Sequence, residues 1–270
     1  MPPPSSPPAV ETRQLTRVFG ELVALQSLDL TVERGIIFGL LGPNGAGKST
    51  TIKILSTLLP PTSGTARVAG FDVVEQPALV RRHIGYVPQL LSADGALTGR
   101  ENLMLSARLY RVPRRERRSR IAAALAFMEI EAAGDDLVRT YSGGMIRRLE
   151  LAQAMLHEPQ VLFLDEPTIG LDPMARRAVW DRLGELKQRS GMTILLTTHD
   201  MEEAEVLCDR LVILHQGMVA VAGEPARLAA AIGPGATLED VFIAAAGGAI
   251  EEGGTYRDVS QLRTSVRRRG

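Results

Sequence analysis

The chain has 270 residues, of which 45% are apolar and 23% are charged, so it is long enough for one large α/β domain with a substantial core. Lysine plus arginine and aspartate plus glutamate each number 31, and this balance argues against nucleic acid as the main partner. The single cysteine, Cys208, excludes an internal disulfide and a multi-cysteine zinc site, and we interpret it as a small buried residue.

The N-terminal region predicts a tail followed by short strands. Residues 1–8 are rich in proline and predict a disordered segment, with neither the positive start nor the apolar stretch of a signal peptide. Residues 11–15 and 28–32 predict two short strands. Phe19 lies between them, where an aromatic ring can either stack on an adenine or pack in the core. Spacing alone leaves both interpretations open.

Residues 42–50 form a glycine-rich pattern that fits G-x-x-x-x-G-K-[ST]. A short apolar run at 36–41 precedes it, as in a buried parallel strand, and an apolar helical stripe follows it. A strand, a glycine turn and a helix N-terminus together cradle phosphate oxygens with backbone N–H groups. Lys48 would reach the β- and γ-phosphates, and the Ser49 hydroxyl would ligate Mg²⁺. The residues predicted to bind the nucleotide here are Gly42, Pro43, Asn44, Gly45, Ala46, Gly47, Lys48, Ser49 and Thr50.

The middle of the chain changes from strands to helices. Residues 84–89 predict a strand that ends at Gln89, on the ligand-facing edge of a parallel sheet. From 97 to 157 the pattern is helical, and we interpret the basic run at 111–120 as a solvated helix start rather than a contact with lipid headgroups. Residues 142–144 read Ser-Gly-Gly, which is typical either of a phosphate-binding helix start or of a linker.

Two further strands end in polar side chains. In residues 161–166, four apolar residues are followed by Asp165 and Glu166. A buried acidic pair is costly without a metal or a cationic partner, so we expect a chemical role. Asp165 is placed to hold Mg²⁺ through water, and Glu166 to orient or deprotonate an attacking water. The strand at 193–198 ends at His199, which is either a satisfied edge histidine or part of the site.

The C-terminal part predicts a hairpin across 211–221 and a short helix at 226–232. Beyond it the chain is rich in glycine, alanine and arginine, and we expect loose order there. The exception is 237–243, which suits an amphipathic turn or two.

Taken in order, these motifs resemble those of ATP-binding cassette (ABC) ATPases over roughly residues 10 to 245. The resemblance implies an α/β fold with a P-loop NTPase (RecA-like) core around a parallel sheet. It also implies an antiparallel β subdomain and an inserted α-helical signature subdomain at about 90–157. We expect a tail at 1–8, the ATPase domain at 9–235 and an extension at 236–270.

The resemblance also implies the roles of individual residues, with ATP and Mg²⁺ as cofactors. Phe19 would stack on the adenine, Gln89 would contact Mg²⁺ or its water, and His199 would contact the γ-phosphate. Asp172 would belong to a loop at the dimer interface. The residues expected to take part in catalysis are Lys48, Glu166 and His199. Those expected to hold Mg²⁺ are Ser49, Gln89 and Asp165. Those expected to contact the ATP that the partner subunit holds are Ser142, Gly143 and Gly144.

Residues 97–103 and 238–242 resemble the daunorubicin-resistance type of ABC-2 exporter subunit. This implies ATP-driven export of a small molecule such as a drug or a lipid. The expected partners are a second ABC ATPase subunit, in a homodimer, and a separate membrane permease, with no nucleic acid. The expected place is cytoplasmic, on the inner face of the cell membrane. Tyr141, Met145 and Ile169 depart from the commonest family residues, and Met145 could weaken contacts with the partner's nucleotide.

Two other functions compete with this one. A non-transport ABC ATPase could act on nucleic acid or ribosomes, but the interval from Lys48 to Ser142 has no extended heptads and no cysteines. The second competing function is that of a regulatory module that senses ATP without hydrolysing it. The presence of Glu166 and His199 argues against this function.

Overall fold

Two sheets organise residues 7–251, the part of the chain that the computed structural model describes. Ten strands occur in that part: β1 (Val10–Phe19), β2 (Leu22–Val32), β3 (Ile37–Leu41), β4 (Ser63–Val68), β5 (Phe71–Asp72), β6 (Ile84–Val87), β7 (Val161–Asp165), β8 (Thr193–Thr198), β9 (Arg210–His215) and β10 (Met218–Gly223).

The larger sheet has the order β10-β9-β3-β8-β7-β6, and every pairing in it is parallel except β9 with β10. The smaller sheet has the order β2-β1-β4-β5 and is antiparallel. The predicted α/β fold, with a parallel core sheet and a separate antiparallel sheet, is confirmed.

Helices cover the parallel sheet and connect its strands. They are α1 (Lys48–Leu55), α2 (Pro77–His83), α3 (Gly99–Leu109), α4 (Arg117–Phe127), α5 (Gly143–Met155), α6 (Pro173–Ser190), α7 (Met201–Leu207), α8 (Pro225–Ile232) and α9 (Leu238–Glu251). Three of them, α3 to α5, lie between β6 and β7 in the chain, within the range predicted for a helical subdomain. The domain boundaries themselves stay a prediction, and residues 1–6 and 252–270 lie outside the described part.

The parallel sheet separates two apolar cores. Along β7, Leu162 and Leu164 pack on the side of α3 to α7, whereas Phe163 packs on the side of the antiparallel sheet. Because successive side chains of a strand point to opposite faces, a strand that is buried on both faces must be continuously apolar. This explains why the runs in β3, β7 and β8 are good predictors of strands.

The first hairpin is longer than predicted. Two separate pieces were expected at 11–15 and 28–32, whereas β1 and β2 form one ladder that turns at Gly20 and Glu21. Register shifts between Thr12 and Leu15 and between Leu15 and Arg17 interrupt this ladder. Such bulges break the alternation of apolar and polar residues, so the pattern in the sequence understates the strand length.

The C-terminal order is also greater than predicted. A turn or two was expected at 237–243, whereas α9 continues to Glu251. Leu238 and Val241 are fully buried against the main core, and the Leu238 N–H donates to the Glu205 carboxylate. Tertiary packing therefore stabilises an alanine-rich segment whose own pattern is weakly amphipathic.

Cys208 is buried, as predicted, and burial raises the pKa of its thiol. Among the described residues, no helix is both long enough and apolar enough to cross a bilayer.

Replacing Gly39 in β3 tests how tightly this strand packs on Cys208. A Cβ at Gly39 would lie 2.7 Å from Cys208 Sγ. We expect Gly39→Ala to lower the free energy of unfolding by about 1–3 kcal/mol, because the core must shift to accept the methyl group. Cys208→Ala in the same chain should recover part of that loss, and urea denaturation would measure both changes.

A suitable control is Gly184→Ala in α6, since a Cβ there meets open space among the described residues. This substitution should stabilise the chain slightly through helix propensity. Strictly additive effects of Gly39→Ala and Cys208→Ala would contradict the proposed contact.

Candidate nucleotide site

The predicted phosphate-binding loop and the polar residues at the ends of β7 and β8 meet at the carboxyl-terminal edge of the parallel sheet. The loop of residues 42–47 joins β3 to α1, Asp165 ends β7 and Glu166 follows it, and His199 follows β8. Because β3, β8 and β7 are parallel neighbours, their carboxyl ends lie side by side. The sheet topology thus assembles residues that are more than a hundred positions apart in the chain.

The phosphate-binding loop depends on glycine at Gly47. Its φ is +101°, in the left-handed region, and a Cβ there would lie 2.6 Å from the Leu25 side chain and 2.7 Å from the Ala24 carbonyl oxygen. Both conformation and space therefore require glycine at this position. Helix α1 begins directly after it, at Lys48, without a side-chain cap, so its first N–H groups remain open to an anion.

Lys48 lies almost fully buried under this loop, with 4% of its surface exposed. Its Nζ donates to the carbonyl oxygens of Gly42 at 2.7 Å and Pro43 at 3.2 Å, and lies 3.5 Å from Glu166 Oε1. These partners offset the cost of burying an ammonium group. They also hold the Lys48 side chain against the inner side of the loop.

Asp165 is fixed by two hydroxyl groups. Its Oδ1 accepts hydrogen bonds from Ser49 Oγ at 2.9 Å and from Thr197 Oγ1 at 2.6 Å. Burial, together with the nearby charge of Asp165, raises the pKa of the Tyr86 phenol to about 12. Ser49 lies in the first turn of α1 and Thr197 lies in β8, and Asp165 therefore ties the helix start after the phosphate-binding loop to the sheet.

Glu166 adopts a left-handed backbone conformation, with φ of +49°. Its N–H donates to Thr197 Oγ1 at 2.9 Å, which helps to hold this strained geometry. Its Oε2 lies 3.3 Å from His199 Nδ1 and 3.4 Å from Gln89 Nε2. Since Oε1 faces Lys48, this one carboxylate touches three of the other predicted site residues.

Phe19 lines the same cleft, whose volume is about 390 Å³. The wall consists of Phe19, Gln89, Glu166, residues 22–24 and most of the loop at 43–50. The Phe19 side chain is 43% exposed, and the Arg17 guanidinium lies 4.4 Å from its ring centroid. The structure therefore places Phe19 at the cleft and not in the core, which sequence spacing left open.

Residues 142–144 and Asp172 lie outside this cleft. Ser142 is the exposed N-cap of α5, and its Oγ accepts from the Met145 N–H at 3.3 Å. Asp172 is the exposed N-cap of α6, and a Cβ at Gly144 would lie 2.7 Å from the Ala175 Cβ in the first turn of α6. Two helix starts thus lie next to each other on the surface, away from the residues that surround Lys48.

Of the residues that depart from the family's common pattern, Tyr141 has a packing role. It is 7% exposed, and its hydroxyl donates to the Ala133 carbonyl oxygen at 2.5 Å. Met145 is partly buried against the main core, and Ile169 is 43% exposed. The phenol of Tyr141 therefore anchors the segment before α5.

Several important residues gave no clear signal in the sequence. Thr197 stands at the end of an apolar strand, where its hydroxyl could have been noticed as a buried polar group. Glu203 is 1% exposed and accepts from Thr168 Oγ1 at 2.6 Å and Trp180 Nε1 at 3.0 Å, and burial raises the pKa of its carboxyl. Arg147 and Glu150 were not singled out, because charged residues are seldom buried, yet both are buried here.

Comparisons with known proteins agree with this geometry. Residues 25–169 match the ABC transporter family. The chain is 45% identical over 225 residues to the daunorubicin/doxorubicin resistance ATP-binding protein DrrA of Streptomyces peucetius, covering 83% of this chain and 68% of that protein. It is 46% identical over 217 residues to the Nod factor export ATP-binding protein I of Rhizobium meliloti, covering 80% and 64%. The matched region thus spans about two thirds of these relatives.

Solved structures show the same likeness. An ATP-binding subunit of an ABC transporter superposes with a TM-score of 0.78 at 32% identity, covering 88% of this chain and 99% of that one. The ATP-binding cassette MJ0796, in a dimeric post-hydrolysis state bound to ADP and Pi, superposes with a TM-score of 0.71 at 28% identity, covering 80% and 98%. On its family match, its relatives and its fold, this chain belongs to the ABC transporter family.

Proposed function

We propose that this chain is the ATP-hydrolysing subunit of an ABC exporter and that two copies close head-to-tail around two Mg-ATP molecules. The observation that carries this proposal is the Glu166 carboxylate, which faces Lys48, Gln89 and His199 at the mouth of a phosphate-binding loop. Proteins of this family bind ATP and, in export systems, couple its hydrolysis to transport. The relatives favour this function over a ribosome or nucleic-acid ATPase and over a passive sensor.

ATP would lie along the cleft between Phe19 and the start of α1. The adenine would stack on the exposed face of Phe19. The phosphates would be held by the N–H groups of residues 42–50 and by Lys48, whose ammonium would exchange its carbonyl partners for phosphate oxygens. The cleft volume of about 390 Å³ is of the size that small-molecule ligands occupy.

Mg²⁺ fits the donor set beside these phosphates. Ser49 Oγ and Asp165 Oδ1 are 2.9 Å apart, and both are hard oxygen donors of the kind that Mg²⁺ prefers. Gln89 would add an amide oxygen once its side chain turned away from Glu166. When bound, the ion neutralises charge that develops on the β- and γ-phosphates. Few protein ligands are needed, because Mg²⁺ is held largely by substrate phosphates and water.

Hydrolysis would be directed by Glu166 and His199. The Glu166 carboxylate would orient or deprotonate the attacking water, since it is buried, lines the cleft and faces Lys48, while Thr197 holds the main-chain N–H of Glu166. His199 is half exposed and contacts the same carboxylate, so it would reach the γ-phosphate from the open side. Both groups act at the same end of the nucleotide, where the bond to the leaving ADP breaks.

The second cassette would complete each site. The start of α5 carries main-chain N–H groups and the positive end of a helix dipole, and Ser142 and Gly143 there are exposed to the surface. It lies outside its own cleft, so it would contact the γ-phosphate held by the other subunit, together with Gly143 and Gly144. Asp172, capping the neighbouring helix, would lie at the same interface. ATP would thus bridge the pair, and its hydrolysis would release it.

Transport would require a separate membrane permease. The described residues contain no helix able to cross a bilayer, and the relatives are named for drug resistance and Nod factor export. The exposed leucines that follow Gln89, with Leu90 81% and Leu91 49% exposed, offer a surface for that subunit. The cassette would then work on the cytoplasmic face of the membrane and power export of a small molecule.

Glu166→Gln tests the catalytic assignment. We expect kcat for ATP to fall by about 10²–10⁴-fold, because the amide no longer accepts a proton from water. ATP binding should persist, and the pair should remain closed because the bridging γ-phosphate is retained. Phosphate release, ATP affinity and size-exclusion chromatography would measure these effects. Glu202→Gln, on the exposed face of α7, is the control, and wild-type turnover by Glu166→Gln would refute the assignment.

Mixing two defective copies tests the composite site. Lys48→Ala should lose most ATP affinity, and Ser142→Ala should lose the contact to the partner's nucleotide, so each alone should be nearly inactive. A one-to-one mixture should recover up to about a quarter of wild-type turnover, since half of random pairs are mixed and each of those holds one intact site. No recovery, with mixed pairing shown by differently tagged copies, would contradict the proposal.

A further inference from the structure

A buried ion pair on α5 holds the loop that carries Gln89. Arg147 and Glu150 lie three residues apart on one face of the helix, and both side chains are 2% exposed. Arg147 Nη1 lies 3.0 Å from Glu150 Oε2. Charged side chains are rarely buried this deeply, because their desolvation is compensated only by close polar partners.

Both members of this pair also bind the main chain of residues 88–92. Arg147 Nη1 donates to the Pro88 carbonyl oxygen at 2.7 Å, and its Nη2 donates to the Gln89 carbonyl oxygen at 2.8 Å. Glu150 Oε1 accepts from the Ser92 N–H and from Ser92 Oγ, the latter at 3.0 Å. The loop is therefore fixed to α5 at three main-chain positions.

The loop has few other means of keeping this path. The pairing of β6 with β7 ends at Val87, just before the loop, and residues 88–92 form neither helix nor strand. The side chains of Leu90 and Leu91 are 81% and 49% exposed, so they contribute little anchoring. The planar guanidinium of Arg147 presents several donors in a fixed geometry, which suits two successive carbonyl groups and a carboxylate at once.

We propose that Arg147 and Glu150 are positioning residues that set the place of Gln89 in the nucleotide site. Gln89 Nε2 lies 3.4 Å from Glu166 Oε2, at the outer limit of hydrogen-bond distance. A loop shift of about 1 Å would therefore remove Gln89 from the reacting end of the cleft. The inference rests on the proposed function, in which Gln89 serves ATP hydrolysis, and deepens it by naming what holds this residue.

The closing experiment replaces the pair by apolar side chains of similar length. Arg147→Met with Glu150→Met removes both charges together, so no orphaned ion is left in the core and the fold should persist. In the full chain we expect kcat for Mg-ATP to fall at least about tenfold, and KM to change less than about threefold, because the P-loop is untouched. Arg147→Lys, which keeps the charge but not the planar fork, should retain intermediate turnover.

The matched control is a second arginine–glutamate pair with the same spacing. Arg182 and Glu185 on α6 lie 3.1 Å apart, with 18% and 34% exposure, and do not contact the Gln89 loop. Arg182→Met with Glu185→Met should keep kcat within about twofold of wild type. Thermal unfolding of every variant would separate lost stability from lost positioning.

A double-mutant cycle with Gln89→Ala distinguishes positioning from general support. If the pair acts through Gln89, the combined variant should be no slower than the slower of its two parents. Additive losses of kcat in this cycle would overturn the proposal. An unchanged kcat in Arg147→Met with Glu150→Met would also overturn it, as would unfolding at 25 °C of both that variant and Arg147→Lys. Turnover by the wild-type chain tests the proposed function by itself. If the wild-type chain hydrolyses ATP but the losses in the double-mutant cycle are additive, only the positioning role is refuted. If the wild-type chain is inactive, both proposals are refuted.

Discussion

The structure depends on keeping two adjacent carboxylates buried at the end of β7. Asp165 is 3% and Glu166 6% exposed, and unpartnered charges at such depth would destabilise the fold. Thr197 supplies one hydroxyl to both residues because it stands opposite Asp165 in the register of β7 with β8. A slip of one residue would turn that hydroxyl to the other face of the sheet. The sheet register is thus part of the site.

Around this pair, the molecule holds its site residues in different ways. Lys48 is enclosed by its own loop, whereas Gln89 lies on an irregular segment tied to a helix through a buried ion pair. Ser142 and Asp172 lie at helix starts on the surface. A rigid centre with exposed helix starts suits a site whose remaining part comes from another molecule. Under the proposed function, closure of the pair and chemistry at Glu166 would then depend on each other.

The strands and helices that flank the local motifs were predicted correctly because each is determined within a few residues. A glycine turn between a buried strand and a helix has one main use, and β3, β7 and β8 were visible as apolar runs because both of their faces are covered. The predicted length of the first hairpin was wrong because β-bulges break the alternation of apolar and polar residues along its strands. The prediction for residues 238–251 was wrong because α9 owes its order to burial of Leu238 and Val241, and no local pattern reveals such packing.

By itself the sequence determined the family, the α/β class and which residues to expect in a nucleotide site, since these follow from short motifs in a set order. Only the tertiary structure decided that Phe19 lines the cleft, that the Thr197 hydroxyl bridges the Asp165 carboxylate and the Glu166 N–H, and that Arg147 and Glu150 are buried. The physical reason is that burial and hydrogen bonding depend on which distant segments meet. An arginine and a glutamate three residues apart look identical in sequence whether they face water or the loop beneath them.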